Sequence, residues 1–477
     1  MVMGSLTVET ELLVIGGGPG GYVAAIRAAQ LGREVIVVER DSKLGGVCLN
    51  TGCIPTKAMI HASNFFHTIK EMQEMGISIK DYSVDVNKMR EWKDGVVGKL
   101  EHGISGLFKR YGIEVIEGTA TFNSSSEVHI SGKSDVTSIR FRHCIIATGS
   151  SHIDIPGFEQ DGQQIISSKE VLELKEIPKR AAIIGGGYIG TEMGTVLAKL
   201  GTEVTIVEAS GMLLSSVDQE LAQVVTGKFP HFGIKVMLEA KVNSCEKKNG
   251  AVTLNITQGG QQKSLEADKV IVVVGRRPNT RGLGLEAAGV KTDAKGFIVV
   301  DEQMRTSSQN IFAVGDVAGQ PMLAHKASRE GKVAAEVISG LKSAFDNKVI
   351  PFVVFNDPEV ASVGLTEAQA SEKGIEIITA RFPFSALGRA MTLNMTDGFV
   401  KIIADKKNSV VLGVHAAGPN VSDIISEGAL AIELGATLED VAATIHPHPT
   451  LPESIMEAAE MALEKGIHIF MPGSKKK

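Results

Sequence analysis

A glycine-rich unit that occurs twice is the feature that most constrains how this chain folds. In the first copy an apolar strand, a GxGxxG turn, an alanine-rich helix and a second apolar strand follow one another over residues 11–38, and Glu39 comes next. The glycines of the turn are Gly16, Gly18 and Gly21. This order predicts a βαβ unit that binds a dinucleotide, with the pyrophosphate at the glycine turn and helix N-terminus and the ribose hydroxyls at the acidic residue.

The second copy has the same parts in the same order. Gly185, the first glycine of its turn, is 169 residues after Gly16, and Glu208 is 169 residues after Glu39. The other glycines of this turn are Gly187 and Gly190. Such a repeat predicts two dinucleotide sites in one chain. The alternative, two turns whose glycines only pack a helix against a strand, is disfavoured because both acidic residues stand where a ribose needs them.

Two of the four cysteines, Cys48 and Cys53, lie close together just after the first unit. In a regular helix residues at this spacing would be about 8–9 Å apart, whereas a disulfide needs its Cα atoms within about 7 Å. A bond between them therefore requires a distorted turn, which Gly52 and Pro55 favour. Taken alone, the pair is equally compatible with a redox couple and with two unrelated buried thiols.

Length and composition are ordinary for a globular protein of several domains. A chain of 477 residues is expected to form about three or four domains. The net charge of −6 gives no reason to expect nucleic acid or an anionic membrane as a partner, and four cysteines argue against a secreted disulfide scaffold. The sequence has no apolar run of about 20 residues and no signal or transit pattern at its N-terminus. We therefore expect a cytoplasmic protein, and no metal site is predicted.

The sequence pattern predicts further elements outside the two units. Residues 351–477 lack a glycine turn of this kind and alternate strands with helices, so they are expected to form a separate α+β domain. The predicted segments are a helix over 88–109, strands within 113–130, strands over 145–150, 268–274 and 311–314, a crossover between domains at 155–157, and C-terminal strands over 359–364, 399–404 and 410–416.

Residues 446–453, His-Pro-His-Pro-Thr-Leu-Pro-Glu, complete a resemblance that covers essentially the whole chain. Together with the two glycine units and the cysteine pair, they resemble the flavin-dependent pyridine-nucleotide disulfide oxidoreductases. The resemblance implies an α/β fold with two Rossmann-like dinucleotide-binding domains, one for FAD and one for NAD, and a C-terminal α+β dimerisation domain. The implied division is an FAD-binding domain over 1–150, an NAD-binding domain over 151–275, a second part of the FAD-binding and central domain over 276–350, and the dimerisation domain over 351–477.

The resemblance assigns FAD to the first unit, which the cysteine pair follows directly. Glu39 is then expected to hold the adenosine ribose and Asp316 the ribityl chain, while Thr148 and Gly149 form a turn beside the flavin. Turn chemistry alone is the alternative for Thr148 and Asp316.

A lysine and a glutamate are also implied to lie beside the flavin. Lys57 matches a lysine near flavin N5, where a cation stabilises the reduced, anionic flavin. Glu192 matches the acid that pairs with this lysine. The alternative for Lys57 is a solvated side chain.

The second unit is implied to bind the nicotinamide cofactor, and Gly275 is expected to contribute to cofactor binding. A carboxylate at Glu208 accepts from a 2′-hydroxyl and repels a 2′-phosphate, and the next two residues supply no cation, so NAD is expected rather than NADP. Tyr188 matches a tyrosine that, in some members, covers the flavin until nicotinamide enters. Simple packing explains Tyr188 equally well.

The implied chemistry is thiol–disulfide exchange. By family order Cys48 exchanges with the substrate and Cys53 lies against the flavin as a thiolate. His448 is implied to act as base and acid, with Glu453 orienting its ring, and the neighbouring His446 is expected to be structural. In the family this His–Glu pair belongs to the partner subunit, so the active site needs a two-fold dimer.

The implied reaction is oxidation of protein-bound dihydrolipoamide to lipoamide with reduction of NAD⁺ to NADH. The implied partners are a second copy of the chain and the lipoyl domains and acyltransferase core of 2-oxo acid dehydrogenase complexes, or the glycine cleavage lipoyl protein. A glutathione-reductase-like enzyme is disfavoured by Glu208, and a mercuric-reductase-like enzyme by a C-terminal tail without cysteines. A non-catalytic flavoprotein would leave the cysteine pair and the His–Glu pair without a reason to coexist.

Overall fold

The computed structural model describes residues 6–248 and 250–470, apart from the side chain of Lys70. The tail from residue 471 lies outside the described residues. This tail is part of the C-terminal segment whose lack of cysteines disfavours a mercuric-reductase-like enzyme.

The strands alternate with helices through most of the chain. The strands are β1 (Leu6–Ile15), β2 (Val35–Glu39), β3 (Glu114–Glu117), β4 (Thr119–Ser124), β5 (Glu127–Ser131), β6 (Val136–Ile146), β7 (Ser150–His152), β8 (Ile165–Ile166), β9 (Arg180–Ile184), β10 (Glu203–Val207), β11 (Lys235–Met237), β12 (Ala240–Lys248), β13 (Ala251–Gln258), β14 (Gln261–Ala267), β15 (Lys269–Val272), β16 (Arg276–Pro278), β17 (Ile311–Ala313), β18 (Phe352–Val354), β19 (Glu359–Gly364), β20 (Ile377–Pro383), β21 (Phe399–Asp405) and β22 (Val411–Gly418). The helices are α1 (Pro19–Gln30), α2 (Gly46–Asn50), α3 (Cys53–Glu71), α4 (Val86–Tyr111), α5 (Ser168–Val171), α6 (Tyr188–Lys199), α7 (Gln219–Lys228), α8 (Ala324–Ile338), α9 (Glu367–Glu372), α10 (Gly388–Thr392), α11 (Val421–Leu434), α12 (Leu438–Ala443) and α13 (Glu453–Ala462).

The first sheet is built on the first glycine unit and has the strand order β3-β2-β1-β6-β5-β4, with β17 paired to β6. Strands β1, β2, β3, β6 and β17 are parallel to their neighbours in this group. Every residue of β2 is buried, because helices and connecting chain cover both faces of the parallel part. The predicted βαβ unit is confirmed, and its helix α1 begins at Pro19, directly after Gly18 of the turn.

The second sheet is built on the second glycine unit and is parallel throughout, in the order β11-β10-β9-β15-β8. Strand β15 is shorter than predicted, since the predicted strand over 268–274 covers only Lys269–Val272. A three-stranded antiparallel sheet, β12-β13-β14, lies beside it and was not predicted. Its signal was present: β13 alternates fully buried Val252, Leu254 and Ile256 with more exposed residues, and a Gly-Gly pair then turns into β14.

The C-terminal sheet is antiparallel in the order β18-β19-β22-β21-β20. The three predicted strands are its centre, and the unpredicted β18 and β20 are its edges. The helices α11 and α13 pack against it and complete a core of aliphatic and aromatic side chains. Among residues 6–248 and 250–470, no helix is long and apolar enough to cross a membrane.

Candidate active site

A cavity of about 390 Å³ lies between the first glycine turn, the cysteine pair and the start of α6. It brings together residues that are far apart in the sequence, because strands β1 and β6 are neighbours and both end at the cavity. The predicted site residues that line it are Gly16, Gly18, Glu39, Cys48, Cys53, Lys57, Thr148, Gly149, Tyr188, Glu192 and Asp316.

The first glycine turn fits a bound dinucleotide. Gly16 has φ +104°, and a Cβ there would lie 2.4 Å from the Ala147 carbonyl oxygen, so the turn requires glycine. A Cβ on Gly21 would lie 1.8 Å from the Gly16 oxygen, which lets α1 pack tightly behind the turn. Gly18 is the N-cap of α1 and has no side chain to cap it, so the first N–H groups of the helix stay available to a phosphate.

Glu39 holds the same turn from the end of β2. Its Oε2 accepts a hydrogen bond from the Gly17 N–H at 2.7 Å, and its Oε1 accepts one from the Asp41 N–H at 3.0 Å. The carboxylate is therefore fixed next to the space in front of the glycines, as a ribose-binding acid must be.

The second glycine turn repeats this geometry. Gly185 has φ +114°, and a Cβ on Gly190 would lie 2.0 Å from the Gly185 oxygen. Glu208 Oε2 accepts from the Gly186 N–H at 2.6 Å, and Oε1 accepts from the Ser210 N–H at 2.7 Å. Among the described residues, no atom lies within 4 Å of a Cβ built on Gly187, so the approach to this turn is open.

In the second unit Gly185, Gly187, Gly190 and Glu208 lie outside the cavity that the first unit lines, as does Gly275. Gly275 has φ +133° and precedes β16, which pairs with β7. The two units therefore offer two separate places for dinucleotides, and Tyr188 lies where they meet. Tyr188 begins α6 and also lines the first cavity, where burial raises the pKa of its hydroxyl to about 12.

The cysteine pair stands on two helices separated by a break, which is the kind of distortion that a disulfide between them would require. Helix α2 ends at Asn50 and α3 begins at Cys53, with Gly52 between them at φ −134° and ψ −113°. A Cβ on Gly52 would lie 2.9 Å from the Val47 carbonyl oxygen, so the break requires a residue without a side chain. The structure has both cysteines as free thiols with their side chains hydrogen-bonded to each other.

The two thiols differ in acidity. The hydrogen bond from Cys48 and the positive charge of Lys57 lower the pKa of Cys53 to about 7, against an opposing effect of burial. The hydrogen bond to Cys53 and burial raise the pKa of Cys48 well above its usual value. The reduced pair therefore holds its negative charge on Cys53 and a proton on Cys48, which makes Cys53 the better leaving group.

Lys57 is one turn along α3 from Cys53 and forms an ion pair with Glu192 of α6. Its Nζ lies 2.8 Å from Glu192 Oε2 and 4.6 Å from the ring centroid of Phe355. Glu192 is 2% exposed, and its Oε1 accepts a hydrogen bond from the Phe355 N–H at 2.8 Å. Both carboxylate oxygens are thus satisfied, which a buried charge requires.

Three residues that sequence reasoning did not single out, Ser150, Arg276 and Asn279, complete the wall near Asp316. Asp316 accepts a hydrogen bond from the Ser150 hydroxyl at 2.5 Å, and Arg276 Nε donates to the same hydroxyl at 2.7 Å. Asn279 accepts through its carbonyl from the Thr148 hydroxyl at 2.8 Å and donates its amide to the Thr148 carbonyl at 2.9 Å. The Arg-Arg-Pro-Asn run after Gly275 was the available signal, since arginine beside a nucleotide turn favours anion binding.

His448 and Glu453 contact each other but do not line the cavity within the described residues. His448 Nδ1 and Glu453 Oε1 are 2.8 Å apart, and Glu453 Oε2 accepts from the Thr450 N–H at 2.6 Å. The His448 side chain is 77% exposed, and its ring is held by this contact through Nδ1. His446 differs, because its 5% exposed ring bonds Glu427 at 2.8 Å and the Thr444 carbonyl at 2.8 Å, which is a structural arrangement.

Comparisons with known proteins cover nearly the whole chain. Residues 10–331 match the family described as pyridine nucleotide-disulphide oxidoreductase, and residues 350–459 match its dimerisation domain. Dihydrolipoyl dehydrogenase from Geobacillus stearothermophilus is 50% identical over 98% of this chain and 100% of its own length. The proteins of the same name from Bacillus subtilis and Haloferax volcanii are each 48% identical over 98% of this chain, and over 100% and 99% of their own lengths.

Solved structures share the fold. LpdA from Mycobacterium tuberculosis superposes with a TM-score of 0.89 at 26% identity, over 95% of this chain and 99% of its own. The HOCl-induced flavoprotein disulfide reductase RclA from Escherichia coli superposes with a TM-score of 0.84 at 28% identity, over 94% of this chain and 99% of its own.

Proposed function

This chain belongs to the pyridine nucleotide-disulphide oxidoreductase family, and from this premise we propose that it oxidises dihydrolipoyl groups to lipoyl groups and reduces NAD⁺ to NADH. FAD and NAD are its cofactors. The observation that carries the proposal is the Cys48–Cys53 pair, which faces the cavity in front of the first glycine turn with one acidic and one proton-holding thiol.

The proposed exchange begins with the cysteine pair as a disulfide. One thiolate of the dihydrolipoyl group attacks the Cys48 sulfur, a mixed disulfide forms, and Cys53 leaves as the thiolate that its lowered pKa favours. The second substrate thiolate then attacks the substrate sulfur bound to Cys48, so the lipoyl disulfide closes and Cys48 leaves. Cys48 takes up a proton, as its raised pKa requires. Two electrons pass from the substrate to the cysteine pair, and the substrate loses both thiol protons.

The His448–Glu453 pair is proposed to receive a proton from the substrate thiols. Its 2.8 Å contact fixes the imidazole through Nδ1 and directs Nε2 outward. Because the pair does not line its own chain's cavity, we propose that it serves the cavity of a second copy in a two-fold homodimer.

Exposed apolar side chains support this dimer. Leu430 and Leu434 of α11 are 60% and 75% exposed, and Ile445, Ile467 and Phe470 are 93%, 77% and 86% exposed. All five belong to the C-terminal region that carries His448, where an interface with a second copy would bury them, and interfaces between identical chains are rich in apolar residues.

The cofactors are proposed to occupy the two glycine turns. Gly16, Gly18 and Gly21 with Glu39, Thr148, Gly149 and Asp316 would hold FAD, Lys57 and Glu192 would lie beside its reactive ring, and Gly185, Gly187, Gly190, Glu208, Gly275 and Tyr188 would hold NAD. When bound, FAD supplies an electron-pair acceptor for the reduced cysteine pair and a hydride donor for NAD⁺.

The strand pairing supports a proposed division into domains. We propose an FAD-binding domain from residues 1–150, an NAD-binding domain over 151–275, a second part of the FAD-binding and central domain over 276–350, and a dimerisation domain over 351–477. The support is that β17 joins the first sheet, β8–β11 and β15 form the second sheet, and β18–β22 form the C-terminal sheet.

The proposed partner is a protein that carries a lipoyl group, either the lipoyl domain and acyltransferase core of a 2-oxo acid dehydrogenase complex or the lipoyl protein of glycine cleavage. A reducing cytoplasm is the proposed setting, since four cysteines in 477 residues, all free thiols, suit a compartment in which a redox pair can turn over.

A substrate panel tests the proposed reaction. The FAD-loaded protein should oxidise dihydrolipoamide with NAD⁺ far faster than it reduces oxidised glutathione with NADPH, and Cys48→Ser should abolish the first activity. The reverse ranking of the two substrate pairs would overturn the assignment.

A further inference from the structure

Three side chains outside the redox site converge at the far end of α3. His67 and Glu71 are four residues apart on this helix, so they share one face, and His231 reaches them from the turn that follows α7. His67 Nε2 lies 3.7 Å and His231 Nε2 lies 3.3 Å from the same atom, Glu71 Oε1. One potential ligand atom from each residue lies within 4.8 Å of the other two.

We propose that His67, Glu71 and His231 bind a divalent transition-metal ion, Zn²⁺ by preference, and that the ion ties the end of α3 to the turn after α7. Two imidazoles and one carboxylate are a ligand set that zinc accepts, with water in the fourth position. Zinc bonds of about 2.0–2.2 Å in a tetrahedron place neighbouring ligand atoms roughly 3.4 Å apart.

The two separations from Glu71 are close to this geometry, and the two histidine ligand atoms, which lie within 4.8 Å of each other, would move together on binding an ion. The 3.3 Å separation between His231 and Glu71 already fits, and the 3.7 Å separation on α3 is slightly long. The Glu71 side chain is 44% exposed and so has room to turn toward an ion, while the His67 and His231 side chains are 13% and 52% exposed. Phe232 contacts both rings edge-on, at centroid distances of 5.2 Å and 5.4 Å, and so restricts their orientation.

Nearby positive charges do not oppose a cation strongly, because each has a carboxylate partner. Lys199 and Lys228 are close enough to interact with Glu71. Lys199 pairs with Asp357, and Lys228 lies 2.6 Å from Asp397. The carboxylate of Glu71 is therefore left to neutralise part of the charge of the ion.

The proposed ion would act on the helix that carries the redox pair. Helix α3 begins at Cys53, and its other end is Glu71. His231 belongs to the segment between α7 and β11, which is part of the second nucleotide sheet. An ion bound at this site would therefore link the two nucleotide-binding units at a point remote from the cysteines.

Equilibrium dialysis of Zn²⁺ against the FAD-loaded, oxidised protein tests the proposal. Oxidation is used because it removes Cys48 and Cys53 as competing thiolate ligands. The wild type should bind one Zn²⁺ per chain at this site. Glu71→Gln and His231→Gln should each lower the affinity by about tenfold or more, because the loss of even an outer-shell partner of a ligand lowers metal affinity roughly 10–100-fold. His129→Gln, an exposed histidine on β5, should bind as the wild type does.

Two further measurements separate this site from other causes. X-ray absorption at the zinc edge should show nitrogen and oxygen ligands at about 2.0–2.1 Å rather than sulfur at about 2.3 Å. The FAD content and far-ultraviolet circular dichroism of the metal-free variants should equal those of the wild type, which shows that they fold. Zinc bound only through sulfur, equal binding by wild type, Glu71→Gln and His231→Gln, or no binding by the wild type would each overturn the proposal.

Discussion

Glu208 allows the nucleotide preference of the second glycine turn to be tested directly. Its two carboxylate oxygens accept from the Gly186 N–H at 2.6 Å and from the Ser210 N–H at 2.7 Å. These bonds fix the carboxylate at the end of β10, where it can accept from a ribose hydroxyl. Glu208→Arg removes this acceptor, leaves both backbone N–H groups without the partner they have now, and places a cation where a 2′-phosphate would lie.

The expected effect follows from the bonds that are lost. A hydrogen bond to a charged acceptor contributes about 1.5–3 kcal/mol, so losing the one to the ribose should raise the KM for NAD⁺ by roughly 10- to 150-fold. Because the ribose is remote from the reacting atoms, ground state and transition state lose the same binding energy and kcat should change little. The KM for NADP⁺ should fall, since a guanidinium pairs well with a phosphate.

Steady-state kinetics with dihydrolipoamide, varying each nucleotide, checks this prediction. Glu208→Gln should give a smaller loss for NAD⁺ than Glu208→Arg, because the amide keeps one acceptor oxygen and the size of the side chain. Glu203→Gln, an exposed carboxylate at the other end of β10, is the matched control and should behave as the wild type. A KM for NAD⁺ within twofold of the wild type in Glu208→Arg, with no gain for NADP⁺, would show that this carboxylate does not face the ribose.

Three further changes test the exchange site. His448→Gln should lower dihydrolipoamide oxidation by roughly 10²- to 10⁴-fold and leave NADH oxidation by an artificial electron acceptor intact. The control His468→Gln, which removes the pair that His468 forms with Glu457 of α13, should change neither rate. Cys48→Ala removes the hydrogen bond from Cys48 and should raise the pKa of Cys53 from about 7. A titration of the reduced protein, followed by the ultraviolet absorbance of the thiolate, should then show Cys53 losing its proton at a higher pH than in the wild type. Leu434→Glu should convert the dimer to monomer in size-exclusion chromatography and abolish dihydrolipoamide oxidation; a monomer with full activity would refute the placement of His448 in the partner's cavity.

The sequence predicted best where function rests on local pattern. A GxGxxG turn needs glycine at Gly16 and Gly185 for backbone conformation and at Gly21 and Gly190 for close packing. The structure shows both needs, because a Cβ at any of these four positions would collide with the backbone. The break between the two cysteines was likewise predictable, because the i, i+5 spacing is incompatible with a disulfide in a regular helix. Strand boundaries were less accurate, as the ends of β6 and β15 show, because they depend on pairing partners that are distant in the chain.

The contacts between distant elements were harder to predict. The ion pair of Lys57 and Glu192 was expected only through the family resemblance, and the N–H of Phe355 that satisfies the second Glu192 oxygen had no signal in the sequence. The hydrogen bonds of Asn279 with Thr148 join residues 131 apart, and they exist because β7 pairs with β16. Such contacts follow from how the sheets pack together, which the periodicity of a single segment does not contain.

Helix α3 carries three contacts between the two nucleotide-binding units. It starts at Cys53, and along its length it bonds the second nucleotide unit three times: Lys57 to Glu192 of α6, Asn64 to Lys199 of α6, and Glu71 to His231 after α7. A thiolate that passes electrons toward one nucleotide site while a second nucleotide binds elsewhere must keep a fixed position relative to both. A hydrogen bond contributes only about 0.5–1.5 kcal/mol net, so no single one of these bonds fixes the position of the helix. Three bonds spaced along the helix together oppose both tilting and sliding. The redox pair is therefore positioned by a helix anchored along its whole length rather than by the turn at Gly52 alone.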